Sequence, residues 1–334
     1  MLFSDLKDIF HNAKIIGKLP KKKIKYISDH SNNVNENTLL VVNQNKDFKL
    51  LYLREAIKKN LKTVISNEFL KNSSLNQIII KNLEKGISKL INLRQPYLPK
   101  ISIAITGTNG KTSTTWYLAQ ICKINNIPTK LTGTLGYFIN LKKYQNSELT
   151  TPSNLNLLQF ANSNIKNKYN FICEASSHGL HQGRFDNFNI DIAAITNLTH
   201  DHLDYHKNFT AYKNSKFLLF TKILNHKGIA VINSRLKNYQ ILVNKIKKRK
   251  INIITFGDKD VYFCEKEYLK LYIFEKKYKI SKFKIVNNIQ KENIECAIAC
   301  AIAMNINIKK IINSLQKLKS APGRFEILNF SKKK

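Results

Sequence analysis

The chain has 334 residues, 43% of them hydrophobic, and its 56 Lys and Arg against 22 Asp and Glu give a formal net charge of +34. This length is sufficient for two domains with separate cores, and the apolar content excludes a disordered chain. Lysine is spread through every segment together with Ile and Asn, which indicates mainly a compositional bias. The excess positive charge would also favour anionic substrates. No basic patch interleaved with aromatic residues stands out, so nucleic-acid binding is only the alternative interpretation of the charge.

The N-terminus and the cysteines indicate a cytoplasmic protein. Acidic residues interrupt any signal-like pattern in the first eight residues, and no apolar run approaches the length that spans a membrane. The cysteines lie in apolar surroundings without a Cys-x-x-Cys pair, which is typical of buried thiols in a reducing compartment. These are Cys122, Cys173, Cys264, Cys296 and Cys300.

The first hundred residues predict a small α/β domain. We expect residues 1–20 to form a short amphipathic helix that ends near Gly17 and Pro20, followed by strands and helices in alternation. The predicted strands are 38–42, 63–65 and 77–80, and the predicted helices are 50–60 and 83–93. Two prolines in 94–99 predict a linker.

A phosphate-binding turn organises the remainder of the chain. The β-branched strand 101–105 ends at Gly107-Thr-Asn-Gly110, and Lys111 and Thr112 begin the next helix. Such a turn collects backbone N–H groups and the positive end of a helix dipole around an anion. Lys111 would reach the β- and γ-phosphates and the Thr112 hydroxyl would bind magnesium, although the loop is shorter than the usual Walker form.

Strands and helices alternate from 101 to about 320, which predicts a mostly parallel sheet with helices on both faces. The strand-like runs are 171–173, 192–196, 228–232 and 251–256. Ligands of such sheets gather at the carboxyl ends of the strands. Polar side chains at these ends are therefore candidate site residues.

Two polar positions near these strand ends suit metal or phosphate chemistry. Glu174 directly follows strand 171–173, where a carboxylate beside a phosphate loop is expected to bind magnesium. The helix predicted over 212–220 presents Lys216 one turn after Tyr212. From the residues alone, Lys216 is a lysine on a helix surface.

A histidine-rich segment, residues 196–206, follows the next strand. Its His200-x-His202-x-Asp204 pattern resembles the start of the dinuclear zinc motif of metallo-β-lactamase-like hydrolases. Tyr205 occupies the position where that motif requires another histidine, and a phosphate loop has no role in such a hydrolase. Zinc binding is therefore the alternative interpretation of this segment.

Taken together, these motifs resemble the Mur ligase family, and within it the UDP-N-acetylmuramoyl-tripeptide synthetases. The matching segments are Gly107–Thr112, Thr150–Pro152, Glu174–His178 with Gln182 and Arg184, Thr196–Leu198 with Asp201–His206, Ser215-Lys216, and Ala321–Glu326. The resemblance implies an N-terminal UDP-binding-type domain over 1–97, a central ATP-binding domain over 98–322, and the stub of a C-terminal Rossmann-like domain over 323–334.

The resemblance also implies roles for individual residues. Catalysis would depend on Lys111, Glu174, His202 and Lys216. ATP would be bound by Gly107, Thr108, Asn109, Gly110, Lys111, Thr112, Ser113 and Asn293. Mg2+ would be bound by Thr112, Glu174, His202 and Lys216, the last as a carbamate. The UDP-N-acetylmuramoyl dipeptide would be bound by Ser31, Thr150, Thr151, Ser176, Gln182 and Arg184.

The implied reaction is the ATP-dependent addition of a diamino acid to that dipeptide through an acyl phosphate, in peptidoglycan synthesis. Diaminopimelate is favoured over lysine. Because the chain ends about one strand into the third domain of the family, we expect a truncated or split enzyme with low activity alone. A split enzyme would be completed by a separately encoded C-terminal domain. The alternatives are a non-catalytic nucleotide-binding remnant and a ligase similar to folylpolyglutamate synthetase.

Overall fold

The computed structural model describes residues 1–32, 34–43, 50–71, 74–164, 166, 169–201, 203–265, 269–280 and 287–324. The backbone divides into two compact units. The first unit contains residues 1–98 and 162–165, and the second contains residues 99–161 and 166–334.

The first unit is a sheet with strand order β1-β5-β4-β3-β2, accompanied by helices. All neighbouring strands are parallel except the edge pair β1 and β5. The strands are β1 (Lys14–Ile16), β2 (Tyr26–Ser28), β3 (Thr38–Val42), β4 (Thr63–Ser66) and β5 (Asn76–Ile79). The helices are α1 (Leu6–Ile9), α2 (Leu50–Lys58) and α3 (Leu83–Arg94).

The prediction of a helix over residues 1–20 is wrong in the length of the helix. Only α1 is helical there, and β1 pairs antiparallel with β5 at the edge of the sheet. The two isoleucines of β1 are β-branched and suit an extended edge strand. Gly17, with φ +84°, ends that strand in a conformation that glycine adopts without strain.

The second unit contains a larger sheet with helices packed against it. Within the described residues its strand order is β16-β15-β14-β13-β12-β11-β6-β10-β7-β8-β9. The strands are β6 (Ser102–Thr106), β7 (Thr129–Gly133), β8 (Gly136–Ile139), β9 (Lys142–Gln145), β10 (Asn170–Glu174), β11 (Ile190–Ile195), β12 (Leu224–Asn233), β13 (Asn252–Phe256), β14 (Val261–Glu265), β15 (Leu269–Ile273) and β16 (Lys276–Lys279).

The helices of this unit connect the strands and cover the sheet. They are α4 (Lys111–Ile124), α5 (Asn154–Ala161), α6 (Ser177–His181), α7 (Leu203–His206), α8 (Phe209–Leu218), α9 (Tyr239–Lys248), α10 (Asn288–Ala303) and α11 (Ile308–Leu315), and a π-helical turn at Leu219–Ile223 continues α8. In the part of the chain that the structure describes, none of the helices combines the length and apolar character that crossing a bilayer requires.

The centre of this sheet is parallel from β7 to β14, as predicted, and confirms the α/β class. The sequence did not predict β7 and β14, nor the antiparallel strands β8, β9, β15 and β16 at the two edges of the sheet. Strands β9 and β16 are lysine-rich and mostly exposed, so they lack the apolar residues by which a strand is recognised.

The register of the central strands brings their carboxyl ends to one level. Strand β6 lies between β10 and β11, with Ile105 opposite Glu174 and Thr106 opposite Ile195. The phosphate-loop sequence follows β6 directly. The polar residues that follow β10 and β11 are therefore brought to its two sides.

Candidate nucleotide-binding site

The turn after β6 requires glycine at two positions. Gly107 has φ +147° and Gly110 has φ +84°. A Cβ on Gly107 would overlap the side chain of Thr196, and a Cβ on Gly110 would overlap the amide of Asn293. The buried Asn293 amide also accepts a hydrogen bond from Thr114 Oγ1 at 3.5 Å, so α10 packs directly against the turn.

The residues that follow β11 hold the turn in shape. Thr196 Oγ1 donates to Asn109 O at 2.6 Å, and Asn109 N donates to Asn197 Oδ1 at 2.9 Å. Thr108 N donates to Asn197 O at 3.1 Å, and Thr108 Oγ1 donates to Thr199 O at 3.1 Å. These bonds fix the backbone of the loop before any ligand arrives, which is how a preorganised anion site is built.

Lys111 lies over its own loop. Its Nζ donates to Gly107 O at 2.8 Å and to Thr108 O at 2.9 Å. Burial lowers the pKa of Lys111, while the charges of Glu174 and Asp201 act in the opposite direction. The amine is therefore at the centre of the turn, where a phosphate would meet it.

Glu174 is buried beside the start of α4. Its Oε2 accepts from Thr112 Oγ1 at 3.0 Å, and its Oε1 accepts from Thr134 N at 2.9 Å. Burial raises the pKa of Glu174, against the effects of the Thr134 N–H and the Lys111 charge. The structure thus brings together the two oxygen donors that we predicted for magnesium. Thr134 was not identified from the sequence.

Lys216 is not on a surface, because only 1% of it is exposed. Its Nζ donates to Gly107 O at 2.8 Å, the same oxygen that accepts from Lys111. The Nζ also lies 4.6 Å from the ring centroid of Tyr212, one turn earlier on the buried face of α8. Burial lowers the pKa of Lys216 well below its usual range, and the Lys111 charge lowers it further. The surface interpretation made from the residues alone is wrong.

His202, the remaining predicted metal ligand, lies outside the described residues. The ring of His200 stacks on Phe209 at 4.5 Å between centroids. Among the described residues, no group of three or more His, Cys, Asp and Glu side chains is placed to hold a metal ion. The Glu174 carboxylate and the Thr112 hydroxyl are hard oxygen donors, which fit Mg2+ with phosphate and water as its other ligands.

Four of the predicted substrate residues form one hydrogen-bonded cluster beside Glu174. Thr151 Oγ1 donates to Glu174 O at 2.8 Å and accepts from Ser176 N at 2.8 Å. Arg184 donates from Nε to Gln182 Oε1 at 3.0 Å and from Nη1 to the backbone oxygen of Thr151. The cluster presents hydroxyl, amide and guanidinium groups near the candidate metal site.

The other predicted residues are more dispersed. Thr150 Oγ1 lies 3.1 Å from Thr134 Oγ1, next to the cluster. Ser113 is half-buried in the first turn of α4. Ser31 is buried and belongs to the first unit.

Tyr205, which separated this chain from the zinc motif, joins two segments of the site. Its hydroxyl accepts from Gln182 Nε2 at 3.3 Å and lies 3.0 Å from His181 Nδ1. Its ring is tilted by 37° against the ring of His178, with 4.0 Å between centroids. The sequence showed an aromatic residue at this position but gave no signal for its partners, which are more than twenty residues away.

Residues 105–318, more than half of the chain, match the family model of the Mur ligase middle domain. The chain belongs to the Mur ligase family. A curated relative of this Mur ligase is the UDP-N-acetylmuramoyl-L-alanyl-D-glutamate--2,6-diaminopimelate ligase of Rickettsia bellii (strain RML369-C), 29% identical over 320 residues. The alignment covers 92% of this Mur ligase and 66% of the relative, so the chain spans just under two thirds of the relative's length.

Solved structures share the fold of this Mur ligase. A structure described as UDP-N-acetylmuramoyl-L-alanyl-D-glutamate--2,6-diaminopimelate ligase has a TM-score of 0.78 at 22% identity, covering 99% of this chain and 69% of the other. A bifunctional folylpolyglutamate synthase/dihydrofolate synthase with Mn, AMPPNP and L-glutamate bound has a TM-score of 0.55 at 16% identity. That match covers 74% of this chain and 64% of the other. The folate enzyme is thus the more distant of the two.

Proposed function

We propose that this Mur ligase is an ATP-dependent acid–amino-acid ligase that adds 2,6-diaminopimelate to UDP-N-acetylmuramoyl-L-alanyl-D-glutamate in peptidoglycan synthesis. The observation that carries the proposal is the convergence of Lys111, Lys216 and Glu174 on the glycine turn after β6. The names of the curated relatives support the substrate pair. We place the reaction in the cytoplasm, where ATP is available.

The chemistry requires activation of a carboxylate, because oxide is a poor leaving group. A carboxylate oxygen of the D-glutamate residue attacks the γ-phosphorus of ATP, the bond to the ADP oxygen breaks, and an acyl phosphate forms. The amine then attacks the acyl carbon, phosphate leaves with its electron pair, and the nitrogen loses a proton. The reacting carboxylate and triphosphate are both anionic, so their repulsion must be offset during the first step.

The residues around the turn are suited to offset this repulsion. In the proposal the backbone N–H groups of the turn and Lys111 Nζ bind the β- and γ-phosphates. Glu174 and Thr112 would hold Mg2+, with His202 as a further ligand, and the ion would supply Lewis-acid stabilisation of the transferring phosphoryl group. Gly107, Thr108, Asn109, Gly110, Ser113 and Asn293 shape the nucleotide site.

The environment of Lys216 supports the proposal that its amine carries a carbamate. A neutral amine reacts with CO2 to give a carbamate and one proton, and an ammonium group does not react. Burial lowers the pKa of Lys216 well below its usual range, which increases the fraction of the neutral amine that this reaction needs. The carbamate would replace a cation that repels metal ions by an anionic oxygen ligand.

The hydroxyl, amide and guanidinium groups beside Glu174 would bind the UDP-muramoyl dipeptide. In the proposal these residues are Thr150, Thr151, Ser176, Gln182 and Arg184. Ser31, which belongs to the first unit, stays a separate prediction for the uridine part of this substrate. Arg184 is already aligned by Gln182 Oε1, so its guanidinium needs little reorganisation to pair with an anionic group of the substrate.

The proposal is tested by ADP release from the full chain with ATP, Mg2+, the UDP-muramoyl dipeptide and diaminopimelate. We expect ADP release to require the dipeptide, and Lys111→Ala to reduce it at least 100-fold, because the amine that binds the transferring phosphate is lost. Lys123→Ala, which removes an exposed lysine from the same helix, is the matched control. Equal rates for the two variants would refute the assignment of Lys111.

We further propose that a separately supplied polypeptide, equivalent to the part of the relatives that this chain does not match, raises the rate of amide formation. Product analysis with and without that polypeptide measures the effect. Full amide formation by the chain alone, unchanged by the addition, would contradict this part of the proposal.

A further inference from the structure

The turn between β7 and β8 places Thr134 against Glu174, although the proposed chemistry gives Thr134 no role. The Thr134 N–H donates to Glu174 Oε1 at 2.9 Å, and its hydroxyl donates to Oε2 at 3.1 Å. Oε2 also accepts from Thr112 Oγ1 at 3.0 Å. Two separate elements therefore fix the plane of this carboxylate, and partners of this kind commonly orient metal ligands.

Gly133 provides the space that the Glu174 carboxyl group occupies. A Cβ on Gly133 would overlap the carboxyl carbon and Oε1 of Glu174. Glycine is thus needed here because of close approach. Gly133 and Thr134 together form a cradle for Glu174, which we call the Glu174 cradle.

The Glu174 cradle extends to Thr150, whose Oγ1 lies 3.1 Å from Thr134 Oγ1. A threonine hydroxyl has one proton to donate and can accept through its lone pairs. An ionised carboxylate only accepts, so the Thr134 proton points to Glu174. The bond between the two threonines then uses the proton of Thr150, and the lone pairs of Thr150 remain available to a ligand.

We infer that Thr134 is a positioning residue, which aims Glu174 at the metal ion and turns the Thr150 hydroxyl to accept from an amide N–H or hydroxyl of the dipeptide substrate. This inference rests on the proposed function, because a metal-binding Glu174 is ionised. According to this inference, the substrate group that contacts the Thr150 hydroxyl is a hydrogen-bond donor. A carboxylate oxygen, which only accepts, is therefore excluded as that group.

The metal part of the inference is tested with Thr134→Val, which keeps the shape and the N–H and removes the hydroxyl. Binding of AMP-PNP to the full chain is titrated with Mg2+ and repeated in EDTA. We expect the Mg2+ concentration for half-saturation to rise about ten-fold, with metal-free binding unchanged. Thr134→Ser should restore the wild-type value, and Thr221→Val, which removes a hydroxyl bonded to Phe217 O in its own helix, should not change it.

The outcomes separate this inference from the proposed function. Absence of Mg2+-dependent nucleotide binding in the wild-type chain would refute the proposed function. Wild-type binding with an unchanged Thr134→Val variant would overturn the inference alone. An equal loss with and without Mg2+ would also overturn it, because a general structural defect would then explain the effect.

The Thr150 part is tested by a double-mutant cycle on binding of the UDP-muramoyl dipeptide. We expect Thr134→Val and Thr150→Val each to weaken binding about five-fold, which is typical of one hydrogen bond. Because both changes break the same chain of hydroxyls, the double variant should lose little more than either single variant. Losses that multiply would show that the two threonines act independently and would overturn the orientation of Thr150.

Discussion

At the scale of single residues, two amines that share one acceptor characterise this site, and of these Lys216 is buried and Lys111 half-buried. Lys111 and Lys216 both donate to the backbone oxygen of Gly107, and burial lowers the pKa of each. Like charges this close oppose each other in a low-dielectric environment, so the fold favours the neutral form of at least one amine. Such an arrangement costs stability and is typical of a functional site.

The cost of burying Lys216 should appear as pH-dependent stability. Its native pKa is lowered, so the unfolded chain binds more protons between that value and the ordinary 10.5, and stability rises with pH in this window. We therefore expect Lys216→Met to stabilise the protein most at low pH, with the gain shrinking as the pH approaches 10.5. Urea unfolding at several pH values in CO2-free buffer measures this.

The matched control is Lys213→Met on the same helix, whose lysine is only half-buried. We expect its effect to be small and nearly independent of pH. A pH-independent effect of Lys216→Met would contradict the proposed neutral amine.

Among the secondary-structure elements, α10 combines two roles. Its Asn293 packs against the nucleotide turn, and its Glu295 reaches β14, where Oε1 accepts from Phe263 N at 2.7 Å. The other oxygen, Oε2, is buried and accepts no hydrogen bond from the residues that the structure describes. Burial raises the pKa of Glu295 to about 8, an effect that the charges of Arg235 and Lys291 oppose and that of Glu292 increases.

Glu295 should make the packing of α10 weaken as the pH rises from about 5 to 8. A raised native pKa means that the folded chain binds more protons, so stability is full below the ordinary pKa of 4.5 and falls as the pH rises towards about 8. The slope is at most about 1.4 kcal/mol per pH unit for one group. We expect Glu295→Gln to remove this decline in denaturant unfolding between pH 5 and 8. An unchanged slope would contradict the protonated state.

Across the whole molecule, the net charge of +34 acts on folding and on ligands alike. Self-repulsion of this size opposes the compact state, and added salt screens it. A triphosphate bound only by the folded protein stabilises it by mass action.

We therefore expect opposite effects of salt on two measurements. Raising NaCl from 50 to 500 mM should increase the melting temperature of the ligand-free chain, because repulsion is screened. The additional increase produced by Mg2+ and AMP-PNP should shrink over the same range, because the attraction of the anion is screened as well. Thermal unfolding in the four conditions tests both signs. Melting temperatures that do not respond to salt would show that the charge is too dispersed to matter.

The sequence predicted the parts of the site that depend on local pattern. The turn after β6 and Glu174 both come at the ends of buried strands. An apolar run that ends at a polar residue can be recognised from the sequence alone. Burial of Lys216 could not be predicted from the residues alone, because the face of α8 that packs inward is chosen by tertiary contacts. Thr134 was missed because neither β7 nor β8, the two strands that flank its turn, was predicted, and the turn cannot be placed without them.

The position of β6 between β10 and β11 limits how the length of this chain can change. Deleting one residue from any of these three strands would turn the following side chains of that strand to the opposite face of the sheet. Glu174 or Thr196 would then be withdrawn from the glycine turn. Insertions beyond β9 or β16, at the two edges of the sheet, would leave this alignment intact. Natural variation in length should therefore be concentrated at the edges, and the three central strands should keep a constant number of residues.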